Sequence, residues 1–401
     1  MEQSPDNHVF TFIGGGTTGE TAAGFLNAVE ANLVPGVKNA EVITVVSSGD
    51  SGKRTGDLRK HYRIHAVGDF RRSISALSDN SYAAPLFESR FDENATADDV
   101  AAAGERLLAA ISYSDTSVSE GRGKEIIDQA VSLSQDVIER DNKRLKGLSI
   151  GHMVVASLMI EHRLRGNGNN VQTALDEASA FMGARGRVVA DSLVPYDLEM
   201  RDGPIRLLGE AVIDQHVIEN PDDVDVWATP AEPFSNVPAN PAALEAVQKA
   251  SRVIIGPGSI YTSDIPPLLV EGMAETMAEA EAEGKPLTIV ANLVTQETET
   301  KGWTGTRYIT EIEKYAGRKC TRVVFNKNTA CLPEGEAVSF NREELERMGN
   351  YEVIPTDLVD DSALETDPND PPSNRPKVRH NMAAAAVAAL AVEYQQELVA
   401  A

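Results

Sequence analysis

Five apolar runs constrain this chain more than any other feature: VFTFI (9–13), EVITVV (41–46), RVIIG (252–256), PLTIVAN (286–292) and TRVVFN (321–326). None alternates strictly between apolar and polar residues, so each reads as a strand buried on both faces of a parallel sheet. Helical patterns follow most of them, for example GETAAGFLNAVEANL and PLLVEGMAETMAEAEAEG, the second stopped by Gly284 and Pro286. Alternating β and α segments predict an open, doubly wound α/β fold with a mostly parallel sheet. The stretch 92–250 differs, with amphipathic helices, one helix apolar on most sides (IGHMVVASLMIEHRLR), and then short strands and turns. It predicts a helical and mixed α/β insertion lobe, leaving 1–91 and 251–401 as the core. The Pro- and Asp-rich segment 365–380 reads as a linker before a final Ala-rich helix.

The strand ends share one property. In order, the five runs stop in GGGTTGE, SSGDSGK, GPGSIYTS, NLVTQETE and NKNT. In a parallel sheet these loops line the carboxyl edge, where open α/β proteins bind ligands. They supply glycine backbone N–H groups and hydroxyls, which suit phosphate and sugar oxygens beside a helix N-terminus. The candidate phosphate-binding residues are therefore Gly14, Gly15, Gly16 and Thr17 in the first loop and Ser48 and Asp50 in the second. Asp69 and Arg72 follow in VGDFRR. Gly256, Gly258, Ser259, Tyr261 and Thr262 lie in the third loop, and Asn292, Thr295 and Gln296 in the fourth. Asp69 follows Gly68 before a helical run, which equally suits a helix N-cap.

Charge narrows the partners. Sixty-one acidic against 37 basic residues leave a net charge of −24, which repels nucleic acid and anionic membranes. A phosphate ligand would then need a locally positive pocket. Two cysteines with ten residues between them, Cys320 and Cys331, make neither a disulfide framework nor a Cys-x-x-Cys metal motif, so a reducing cytoplasm is expected. The histidines have no zinc spacing. Gly14-x-Gly16-x-x-Gly19 formally matches the dinucleotide fingerprint, and Lys53 and Arg54 could meet a 2′-phosphate, so an NADP-dependent reductase stays open on that feature alone. A Tyr315-x-x-x-Lys319 pair has the spacing of some reductases but reads as surface helix.

The quoted loops, with VGDFRRSISALSD, LFESRF, IGPGSIYTSDIPPLLVEGM, NLVTQETETKGWT and VRHNMAAAAVAAL, stand in the order seen in one superfamily. The chain resembles the gluconeogenesis-factor (YvcK-like) proteins and the 2-phospho-L-lactate transferases (CofD-like), and is closer to the YvcK-like branch. The resemblance implies a Rossmann-like fold and, in that branch, a UDP-sugar-binding regulator linked to carbon metabolism and cell-envelope growth. In the other branch it implies transfer of a phospholactyl group from a guanylated donor, assisted by Mg²⁺. The family's second loop carries paired acids where this chain has Ser47 and Ser48, which removes the expected metal carboxylates and leaves Asp50 or Asp69 for that role. His152 stands where the family has Asn. No cofactor other than this conditional Mg²⁺ is expected. A homo-oligomer, most simply a dimer, is expected.

Overall fold

In the computed structural model the described residues run from 7 to 359, apart from 35–36, 50–51, 112–115, 141–143, 166–169, 219–220, 232–234, 329–331, 333–336 and 350. The 365–380 segment, the final Ala-rich helix and Cys331 lie outside them.

All five apolar runs are strands. β1 (Asn7–Gly14) sends Phe10 and Phe12 to one core and Val9 and Ile13 to another, so both faces are apolar, as the lack of alternation requires. Thr11, the one polar residue within that run, is buried and donates its hydroxyl to the Ala246 carbonyl at 2.7 Å. The chain continues through α1 (Gly16–Glu30), β2 (Asn39–Val46), α2 (Lys53–Tyr62), α3 (Gly68–Leu77) and α4 (Ala83–Glu88). A helical layer follows: α5 (Ala97–Ala110), α6 (Glu120–Arg140), α7 (Ile150–Leu164) and α8 (Asn170–Met182). Then come β3 (Arg187–Ala190), β4 (Tyr196–Asp202), β5 (Ile205–Leu208), α9 (Glu210–Ile213) and β6 (Val224–Pro230). The last part is α10 (Pro241–Lys249), β7 (Arg252–Ile255), α11 (Met273–Ala282), β8 (Leu287–Val290), α12 (Gly305–Ala316), β9 (Arg322–Asn326), α13 (Arg342–Met348) and β10 (Glu352–Thr356).

The main sheet has seven strands in the order β10-β9-β8-β7-β1-β2-β3, and every pairing in it is parallel. A three-stranded antiparallel sheet, β5-β4-β6, packs its Tyr196, Leu198 and Met200 into the second core. Two expectations change here. The 92–250 stretch is not wholly an insertion, because its Arg187–Ala190 segment is the edge strand of the main sheet, paired with Ile43–Val46. The helix expected from Pro267 onward starts only at Met273, because Gly272 takes a left-handed φ of 96° and ends the preceding turn. Its stop at Gly284, φ 76°, is as expected.

Local signals set the helix starts. Asn240 caps α10 with Pro241 at its first position, and Thr304 caps α12. α7 opens with a capping box in which Ser149 Oγ accepts from the His152 N–H at 3.3 Å and the Ser149 N–H donates to His152 Nδ1 at 3.0 Å. His152 thus closes a helix terminus and is fully buried. In the helical layer Arg122 donates to Glu177 and Glu161 at 2.7 and 2.6 Å, and His162 also meets Glu177 at 2.7 Å. Among the described residues no helix is long and apolar enough to cross a membrane.

Candidate functional site

From β1 the chain works outward to β2 and β3, then returns to the other side of β1 with β7. The strand order therefore reverses between β1 and β7, and beyond their carboxyl ends lies the position where open α/β sheets carry a ligand crevice. The register pairs Ile13 with Ile255, so the GGG and GPG turns leave the sheet side by side. The Gly256 N–H donates to the Ile13 carbonyl at 3.2 Å, and Gly256 has a left-handed φ of 78°.

The two turns touch through side chains. A Cβ built on Gly14 would stand 2.2 Å from Thr18 Oγ1 and 2.9 Å from Asp264 Oδ1. One built on Gly15 would meet Asp69 Oδ2 at 2.7 Å and Ser263 Oγ at 2.8 Å. One on Gly16 would meet Arg72 Cδ at 2.6 Å and Asp69 Oδ1 at 2.9 Å. Gly258 would strike Asp264 Oδ1 at 2.4 Å. The glycines are needed for close approach as much as for backbone freedom.

Asp69 is not a helix N-cap. α3 begins at Gly68 after Val67 with no side-chain cap, and Asp69 lies in its first turn with its carboxylate against Gly15 and Gly16, where α1 starts. A negative group at that helix N-terminus is favoured by the partial positive charge there. Arg72 pairs with Glu20 through Nε at 2.6 Å, and Arg71 pairs with Glu88. Thr17, at the head of α1, is half-buried.

The third loop is knitted inward. Ile260–Asp264 forms a π-type turn, a distortion frequent at functional sites. Ser259 Oγ donates to the Glu299 carboxylate at 2.6 Å, and Thr262 Oγ1 donates to Ser259 Oγ, also at 2.6 Å. Asn292 clamps Gly258 from both sides: its Oδ1 accepts from the Gly258 N–H at 3.1 Å and its Nδ2 donates to the Gly258 carbonyl at 2.6 Å. The Tyr261 ring is buried edge-on against Trp303, behind the loop rather than on its open side. Thr295 and Gln296 are half-buried on the fourth loop. Burial lifts the Glu299 carboxyl to about 7, in spite of the hydrogen bond from Ser259.

At the second loop Ser48 is fully buried, its N–H and hydroxyl both donating to Asp191 Oδ1, at 3.1 and 2.5 Å. Asp191, directly after β3, also accepts from the Tyr196 hydroxyl and the Ser192 N–H, and burial raises its carboxyl to about 6. A carboxylate thus stands beside the two serines, reached from the neighbouring strand. Asp50 lies outside the described residues, and within them no three His, Cys, Asp or Glu side chains group as metal ligands. Arg54 donates to the Lys146 carbonyl at 3.0 Å and pairs with Asp57. The Tyr315 hydroxyl accepts from the Val226 N–H and Lys319 pairs with Glu313, so the two do not form a catalytic pair.

The structure brings Gly14, Gly15, Gly16, Asp69, Arg72, Gly256, Gly258 and Ser259 to one crevice, braced by Asn292. Sequence reasoning missed Thr18, Asp264 and Asp191. Asp264 directly follows the quoted YTS and Asp191 ends the run RVVAD, so place in a strand-end loop was the available signal.

The chain matches the family described as 2-phospho-L-lactate transferase CofD over residues 10–359. It is 26% identical over 362 residues to a putative gluconeogenesis factor of Nostoc, covering 87% of this chain but 63% of that protein. It is 25% identical to the gluconeogenesis factor of Bacillus subtilis, covering 82% of this chain and 87% of that one. A crystal structure of a UPF0052-family protein from Bacillus halodurans shares the fold, with a TM-score of 0.66 and 22% identity over 96% of this chain and 99% of its own. With residues 10–359 matched, both glycine turns among them, this chain belongs to the CofD family.

Proposed function

We propose that the crevice between β1 and β7 binds a nucleotide carrying a diphosphate, in the first instance a UDP-sugar, and that the protein acts as a regulator of the gluconeogenesis-factor kind. The observation that carries this reading is the meeting of the GGG and GPG turns at the point where the sheet reverses. The N–H groups at the head of α1 are of the kind that suits phosphate oxygens, beside the Asp69 carboxylate that lies there. A binding role needs no activated nucleophile, and the hydroxyls of Ser259 and Thr262 are committed to Glu299, which fits.

The second reading, transfer of a phospholactyl group from a guanylated donor, has the family match in its favour. Mg²⁺ would there neutralise phosphate charge, but among the described residues no three His, Cys, Asp or Glu side chains group to hold a metal. The NADP reading is weakened because Arg54 is committed to Lys146 and Asp57.

Calorimetry on the purified chain tests the proposal, with UDP-N-acetylglucosamine, GDP and NADPH titrated with and without Mg²⁺. Saturable heat with the UDP-sugar is expected, and its absence at millimolar ligand removes the first reading. Mg²⁺-dependent release of GMP from a guanylated phospholactate would move the assignment to the second.

A further inference from the structure

The π-type turn of the third loop swings one acidic residue into the protein. The Asp264 N–H bonds to the Ser259 carbonyl at 3.0 Å and the Ile265 N–H to that of Ile260 at 2.9 Å, and the wide turn between them places Asp264 fully inside. Its Oδ2 accepts from the hydroxyl of Tyr308, a buried residue of α12, at 3.0 Å. Its Oδ1 is buried without a hydrogen-bond partner among the described residues. Gly14, Gly256 and Gly258, drawn from both glycine turns, all pack against this one carboxyl, with Oδ1 nearest Gly14 and Gly258. Thr18 Oγ1 is also buried and without a partner, and it faces the same point beside Gly14.

Among the described residues, the titratable groups that act on Asp264 come from three further elements and none is positive. Tyr308 faces it from α12, Glu299 from the loop after β8, and Asp69 from α3. An ionised carboxylate in that position would be buried beside Glu299 and Asp69, with no cation acting on it among the described residues.

We propose that Asp264 is the positioning residue of the crevice: a neutral carboxylic acid that accepts from Tyr308 at Oδ2 and sets its protonated Oδ1 against Gly14 and Gly258, fixing the spacing of the two glycine turns. Burial, first, and then the fields of Glu299 and Asp69 hold its proton well above the ordinary carboxylate range, outweighing the Tyr308 hydrogen bond that would lower it. A neutral acid behind the turns lets an anionic group dock without meeting a buried like charge, whereas the ionised form opposes it. The placement of Asp264 rests on geometry; its effect on binding rests on the reading of the crevice as a nucleotide site.

The sign of the test follows from linkage. A carboxyl whose folded value is raised lets the unfolded chain ionise first, so wild-type stability falls as pH climbs from the unfolded value toward the folded one. Asp264→Asn reproduces the neutral acid's acceptor and donor but does not titrate. Melting curves of wild type, D264N and Y308F from pH 5 to 8.5 are the first arm. D264N is expected to melt close to wild type at pH 5 and progressively above it toward pH 8.5, while Y308F melts below wild type throughout. In the second arm, calorimetry with UDP-N-acetylglucosamine should show affinity that weakens with rising pH in wild type and stays within about twofold in D264N. An insoluble D264N, or a gap to wild type that does not widen with pH, overturns the proposal. If wild type binds no UDP-N-acetylglucosamine, the nucleotide reading fails, and the melting curves still decide the state of Asp264.

Discussion

Gly19 offers a sharp test of how closely α1 must lie on α3. It is a buried residue of the first turns of α1, and a Cβ added there would stand 2.6 Å from the Cα of Ser73 on α3. Carbon atoms in contact are ordinarily about 3.5–4.0 Å apart, so Gly19→Ala must part the two helices by about 1 Å. The obstacle is backbone, which cannot rotate out of the way. Overpacking of this kind costs about 1–3 kcal/mol, against which the helix propensity of alanine returns at most about 1 kcal/mol. The expected net loss is about 1–2 kcal/mol, a fall in Tm on the order of 2–4 °C. Gly121 in α6 is the control, because a Cβ there meets nothing within 4 Å, so Gly121→Ala should hold or raise stability. Differential scanning calorimetry of both variants decides the matter. If Gly19→Ala is as stable as Gly121→Ala, the inferred approach of α1 and α3 is wrong, and with it the placing of Asp69 against Gly15 and Gly16.

Two further outcomes are expected. Arg122→Met should cost about 2 kcal/mol, less than the loss from a fully buried pair, because Arg122, Glu161 and Glu177 keep 19, 12 and 20% of their side-chain surface. Burial would raise Glu161 and Glu177, but the hydrogen bonds from Arg122 hold both below their ordinary 4.5, so the stability they give is present above that pH. The deficit of the variant, read from urea midpoints, should therefore shrink as pH falls below it; a deficit independent of pH would refute the account. Glu299→Gln should gain on wild type as pH rises from the ordinary 4.5 through about 7 and then level off, by at most about 3 kcal/mol. A constant offset across that window would mean that Glu299 does not titrate there.

Much of the sheet was legible because strands buried on two faces leave an unbroken apolar signature, as VFTFI and EVITVV do. The meeting of the GGG and GPG turns followed from the same logic, since parallel strands send their loops to one edge. β3 was hidden in the middle of the chain: four residues, Arg187–Ala190, are too few to announce a strand, and only pairing with β2 defines it. Asp69 left two readings open because an acid after glycine before a helix also fits an N-cap, and only tertiary packing showed it against another helix. Asp264 and Asp191 were passed over because burial is invisible in a loop of polar residues; the wide turn at Ile260–Asp264 and the donors around Asp191 are properties of the folded chain. The hydroxyls of Ser259 and Thr262 looked outward in sequence and are turned to Glu299 instead.

The central position of β1 has a consequence for biosynthesis. Its Phe10 pairs with Arg252 on one side, and the Thr11 hydroxyl waits for the Ala246 carbonyl, 235 positions later in translation. β2, β3 and the helical layer emerge early and can close one flank of β1 while the other stays a bare strand edge, open to stray pairing. Only when Arg252–Ile255 leaves the ribosome does that flank close, and the same event brings the two glycine turns together, so a truncated nascent chain can hold half a sheet but only one of the two turns.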